Sequence, residues 1–104
     1  MPIFKLILRK TYYNWGFFNV TIDYDRYIGN NKCSIELHVD GGKIINGWIN
    51  RSAQNNGTAR IMGRTALSDF FRSNFKQGDT VNIEILSLNS IKIQTLFAST
   101  SGNH

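Results

Sequence analysis

Carboxylates are sparse in this chain: seven in 104 residues, against twelve lysines and arginines. An enzyme that grips a divalent metal or moves protons between paired acids needs carboxylates in clusters, and few are left to build one. Cysteine occurs once, at Cys33, so no intrachain disulfide can form, and with only His38 and His104 beside it no Cys/His zinc site can be assembled. A reducing compartment is expected. Proline is confined to Pro2, and no linker rich in Pro, Gly or Ser and no internal repeat divides the sequence. The longest apolar runs, "IFKLIL" and "IINGWI", fall far short of the roughly 20 residues of a membrane-spanning helix. Lys5, Arg9 and Lys10 interrupt the stretch where a secretory signal would keep its apolar region. The expectation is one soluble cytoplasmic domain over residues 1–98, without membrane contact, followed by a flexible tail or the start of a linker at 99–104.

The few acids are unevenly distributed. Residues 1–22 carry Lys5, Arg9 and Lys10 with no acid, and residues 41–68 carry Lys43, Arg51, Arg60 and Arg64 with no acid. Elsewhere the signs mix, so the whole positive excess sits in two windows. Two acid-free basic windows in one small domain point to a surface that faces a polyanion.

Hydrophobic periodicity is mostly two. Ile35, Leu37 and Val39 alternate with Glu36 and His38, and Val81, Ile83 and Ile85 alternate with Asn82 and Glu84, each set reading as a strand with one wet face. Weaker readings of the same kind cover 3–9, 17–22, 43–50, 57–62 and 91–97. Gly and Asn punctuate them at "GNNK", "DGGK", "QNNG", "KQGD" and "SLNS", with hairpins expected at "DGG" and "LNS". Two segments depart from the period. "DYDRYIG" allows one or two helical turns, and "TALSDFFRSNF" spaces Leu67, Phe70, Phe71 and Phe75 as a helix behind a possible cap at Thr65. Seven short strands with two short helices make a mainly β chain, a barrel or sandwich with one end plugged by the aromatic helix.

No catalytic constellation is legible. Glu36 and Glu84 are each followed by residues that do not complete the Glu-x-Lys of a common metal-dependent nuclease, and Cys33 and His38, five apart in a strand, would point to opposite faces. "GRTALS" lacks the lysine and the spacing of a phosphate loop, so no cofactor is expected and the domain is read as non-enzymatic. The polar content of the basic windows is more informative. "RKTYYNWGFF" holds Arg9, Lys10, Tyr12, Tyr13, Asn14 and Trp15, and "NRSAQNNGTAR" holds Asn50, Arg51, Ser52, Gln54, Asn55, Asn56, Thr58 and Arg60, with Arg64 shortly after. Arg, Asn and Gln can bond base edges bidentately in a major groove, while Ser, Thr and Tyr serve phosphates equally well. The same Asn and Gly clusters also make turns.

The order of these pieces carries a resemblance. A first strand, a basic loop, "FFNVTI" running into "DYDRYIG", a hairpin, a basic polar loop and then "GRTALSDFFRSNFKQGDTVNIEI" resembles the B-three-type DNA-binding pseudobarrel of plant transcription factors and of recognition domains in bacterial restriction endonucleases. The match spans about residues 3–97, and its most specific piece is the short helix followed by Lys76-Gln77-Gly78-Asp79 and an alternating strand. The resemblance implies a seven-stranded open pseudobarrel and two loops that grip the major groove of double-stranded DNA. Mapped onto this chain they fall at 9–17 and 49–61, inside the two windows found from charge. It also implies a bacterial recognition module working beside a nuclease or motor domain.

Two other readings stand beside this one. A small oligonucleotide-binding barrel would stack single-stranded bases on Tyr12, Tyr13, Trp15 and Phe17. Alternatively, the basic loops would contact an acidic protein partner.

Overall fold

Alternation governs which strand faces reach the core in the computed structural model, which describes residues 2–94. Strand β1 (Ile3–Ile7) buries Phe4 and Leu6, β3 (Ser34–His38) buries Ile35 and Leu37, and β6 (Thr80–Ser87) buries Val81, Ile83 and Ile85. The remaining strands are β2 (Phe17–Asn19), β4 (Ile44–Asn50), β5 (Arg60–Met62) and β7 (Ser90–Gln94). All seven form one curled sheet in the order β1-β6-β7-β3-β4-β5-β2. Every pairing is antiparallel except β3 with β7. The "DGG" and "LNS" segments do join antiparallel neighbours, β3 to β4 and β6 to β7.

The barrel is open because β1 and β2 are edges. Leu8 N–H donates to Asp79 O and Ile85 N–H to Pro2 O, which makes the even-numbered residues of β1 the ones bonded to β6. Ile3, Lys5 and Ile7 therefore turn their backbone groups toward the gap.

Two α-helices frame this gap and the barrel end. Helix α2 (Arg64–Asn74) follows the expected apolar spacing, with Leu67 and Phe71 fully buried. Phe70, Phe71 and Phe75 stack at centroid distances of 5.9 to 6.5 Å. It plugs the barrel as the aromatic spacing implied. Its start differs: Thr65 is no cap, and the N–H groups of Gly63 and Arg64 instead donate to Gly16 O at 2.9 and 2.7 Å.

Several boundaries also shift. Helix α1 (Lys10–Trp15) occupies most of the segment expected to be a basic loop. The strand expected over 17–22 stops at Asn19, and the helical turns expected at "DYDRYIG" form a 3-10 helix that starts one residue earlier, from Ile22 to Tyr27. The strand expected from 57 begins at Arg60, because side chains of the preceding loop hold that stretch in a turn. A second 3-10 turn spans Asp40–Gly42. Residues 95–97 of the last expected strand, and the tail at 99–104, lie outside the described residues.

Gly16 joins these parts. It ends α1 in the left-handed region at φ +73°, and a Cβ there would sit 1.8 Å from Arg64 O. Gly41 has nearly the same φ, +74°, with nothing within 4 Å of the Cβ position. Alanine at Gly41 should then cost only the left-handed penalty, about 1 to 2 kcal/mol. Alanine at Gly16 should cost ~3 kcal/mol or more, because backbone must move as well. Urea denaturation of the two variants checks this, and equal losses would refute the role given to Gly16.

Candidate functional site

The second basic loop, residues 51–59, leaves β4 and returns in β5, and one side chain fixes its root. Arg51 follows directly on β4, and its Nη1 donates to both carboxylate oxygens of Asp25, at 2.9 and 2.8 Å. The same guanidinium donates to the carbonyls of Gly29 at 3.0 Å, Ile28 at 2.9 Å and Gly57 at 3.1 Å. Asp25 Oδ1 also accepts the Ala59 N–H at 2.7 Å. A planar fork with five N–H donors suits this set of acceptors in a way that a lysine cannot. Sequence reading groups Arg51 with the base-reading residues, but the structure spends its guanidinium on the fold. The half-buried pair ties the 3-10 helix of Ile22–Tyr27 to both ends of the loop.

Beyond that root the loop carries its own bonds. Gln54 Nε2 donates to Thr58 Oγ1 at 2.7 Å, and Asn56 Oδ1 accepts from Thr58 N–H at 3.1 Å. Asn50 Oδ1 accepts the Ser52 N–H at 2.9 Å. Asn55 and Ser52 are exposed. On β5, Arg60 donates to Asn19 Oδ1 at 2.8 Å and lies 4.4 Å over the Phe17 ring. That contact adds a cation–π attraction and flattens the side chain onto the sheet.

The first basic segment is organised by α1. Tyr13 donates its hydroxyl to Phe75 O at 3.0 Å, and Tyr12 packs edge-on to Phe17 with centroids 5.5 Å apart. These two rings attach α1 to the barrel and leave Arg9, Lys10 and Asn14 exposed, with Trp15 70% exposed. Of the four aromatic residues in the single-strand reading, only Trp15 is left widely exposed.

Both segments meet at one cleft of about 530 Å³. Arg9 and Tyr12 line it from the first, Gln54, Asn56 and Thr58 from the second, Lys5 and Asn19 from the sheet edges, and Ile22 from the start of the 3-10 helix. No carboxylate lines it among the described residues. A larger cleft of about 610 Å³ lies between the start of β4 and α2, where Asp40 and Asp69 stand beside Lys43. The smaller one is the candidate site because it alone joins the two acid-free windows and offers only cations. Arg64 does not line it; its exposed side chain stands beyond Gly16 at the start of α2, on the far side of α1 in sequence. Sequence reading missed Lys5, Asn19 and Ile22. Lys5 lies within the first acid-free window, but its place in a strand drew attention to the fold.

The curled sheet of seven strands is an open pseudobarrel, the fold that the resemblance implied. Solved structures similar to it include the following two. One is the N-terminal domain of Helicobacter pylori LlaJI.R1, with a TM-score of 0.64 and 9% identity over 98% of this chain and 90% of that one. The other is the hypothetical Arabidopsis thaliana protein At1g16640.1, with a TM-score of 0.63 and 7% identity over 89% of this chain and 87% of that one. At such identities the likeness is one of fold. No protein-family model and no curated protein matches the sequence.

The clamp can be tested apart from any ligand. Arg51→Lys keeps the charge but loses most of the carbonyl bonds, and should lower unfolding free energy by about 2 to 4 kcal/mol. Arg64→Lys, on an exposed side chain, should stay within ~0.5 kcal/mol of the parent. Chemical denaturation reads both, and an Arg51→Lys variant as stable as the parent would show that the clamp is dispensable.

Proposed function

We propose that this chain is a non-catalytic module that binds double-stranded DNA, with the arms at 9–17 and 49–61 entering the major groove on either side of the cleft. One observation carries the reading: the cleft walled by both acid-free windows presents Lys5 and Arg9, with no carboxylate among the described residues to oppose a phosphate backbone. In this reading Arg9, Lys10 and Arg64 neutralise phosphates, and Asn55 at the exposed tip of the second arm meets base edges. The fine assignment is the target-recognition domain of a bacterial restriction endonuclease, acting in the cytoplasm beside a nuclease or motor domain. Its support is the order of elements that resembles that family, together with the fold likeness.

The exposed Trp15 favours a second reading, in which unpaired bases stack on that ring. Stronger quenching of tryptophan fluorescence by single strands than by duplex would select it.

For the first reading, fluorescence anisotropy should show duplex bound more tightly than single strands of the same sequence. Log affinity should fall against log salt with a slope of about 0.9 per phosphate neutralised. Arg9→Ala and Arg64→Ala should weaken all duplexes alike and reduce that slope by about one each. Asn55→Ala should cost ~1 to 3 kcal/mol on a preferred site and little on random sequence. A protein with no preference for duplex at low salt would end this reading.

A further inference from the structure

Thr58 and Ser68 are the two polar residues that are buried among the described residues, and the surroundings of Thr58 form a closed set of constraints. Its backbone N–H donates to Asn56 Oδ1 at 3.1 Å, which fixes that amide with its oxygen inward. The Thr58 hydroxyl lies 2.7 Å from the same Oδ1, an atom without a proton, so the hydroxyl must donate there. Only its lone pairs then remain for Gln54, 2.7 Å away, so Gln54 must turn its Nε2 inward. The Thr58 carbonyl, 3.4 Å from Nε2, agrees with that choice. An amide that would otherwise be free to flip is held in one orientation at both positions. What remains free is fixed as well: Gln54 offers the acceptor Oε1 and Asn56 the donor Nδ2, and both residues line the cleft.

We propose that Thr58 is a positioning residue that sets the hydrogen-bond polarity with which the second arm meets a base edge. Gln54 then accepts from an amino-bearing base, adenine N6 or cytosine N4. Asn56 donates to an acceptor such as a purine N7, guanine O6 or thymine O4. The inference rests on the duplex reading of the cleft. It adds that selectivity at these positions is imposed by a buried side chain acting through its two amide neighbours.

The test begins with selection of duplexes from a random pool by the parent protein. Affinities of Thr58→Val and Thr58→Ser are then measured for the selected duplex and for a random one. Valine keeps the shape and removes the hydroxyl, so Gln54 is released while the backbone N–H at position 58 still holds Asn56; the ratio of selected to random affinity should fall about tenfold or more. The salt slope on random duplex should be unchanged, because the substitution removes no cation. Serine restores the hydroxyl and should keep the ratio within about twofold of the parent. An unchanged ratio in Thr58→Val, or an equal loss in Thr58→Ser, overturns the proposal. So does a parent that binds duplex but selects no consensus, which would leave duplex binding standing as sequence-independent. A parent that binds no duplex removes the underlying reading instead. Should Thr58→Val fail to fold, side-chain amide exchange in the parent decides. The Gln54 NH2 should exchange several-fold more slowly than that of exposed Asn55, and equal rates would overturn the orientation.

Discussion

The bond network between Arg51 and Asp25 is the constraint on which the second arm depends. The two side chains of this ion pair are only 22% and 23% exposed, so the Coulombic gain is offset by the hydration that both charges give up. Its importance lies in directed hydrogen bonds. Asp25 accepts both the guanidinium and the Ala59 N–H, while the guanidinium collects carbonyls from Ile28, Gly29 and Gly57. Three segments distant in sequence are thereby held at one point, and the loop leaves that point in a set direction. A loop held in this way loses less conformational freedom when it meets a ligand, so more of its contact energy is realised as affinity.

The first arm is anchored by different means. Its root is backbone: the Gly16 carbonyl takes two N–H groups from the start of α2, and the Tyr13 hydroxyl reaches the carbonyl of Phe75 at the other end of that helix. Helix α2 thus serves as a beam behind α1 while its inner face fills the barrel with Leu67 and Phe71. The same eleven residues that complete the core also set the stance of the first arm. The two arms face one cleft on the open side of the sheet, where Lys5 and Ile7 of β1 and Asn19 of β2 also line it.

What could be read from the sequence was what period and charge encode locally. Val81, Ile83 and Ile85, like Leu67 and Phe71, declare their faces by spacing alone, and the sheet and plugging helix follow from them. Charge segregation located both walls of the cleft before any distance was known. Long-range partnership was hidden. Nothing near Arg51 in sequence marks Asp25 as its partner, twenty-six positions away, so an arginine in a basic polar loop read as a ligand contact. Helix α1 was hidden for another reason: its rings at Tyr12 and Tyr13 pack against Phe17 and Phe75, and this tertiary packing holds six residues too few to signal a helix on their own. Strand β5 is short because Asn56 and Thr58 bond each other where alternation alone would extend the strand.

The pairing of β1 with β6 sets an order in time. Ile3 lies opposite Glu84, so β1 finds its neighbour only when the four strands between them in sequence, β2 to β5, and then β6 itself have been made. A ribosome releases β1 well before its partner β6. Meanwhile β3 and β4 already have each other, joined by the Asp40–Gly42 turn. Synthesis from the N-terminus therefore favours a nascent state in which the hairpins stand and Phe4 and Leu6 wait uncovered. Lys5 between them keeps a charge on that waiting strand, a safeguard against pairing with another growing chain. The wall of the cleft that β1 provides thus takes its place only after β6 has been made.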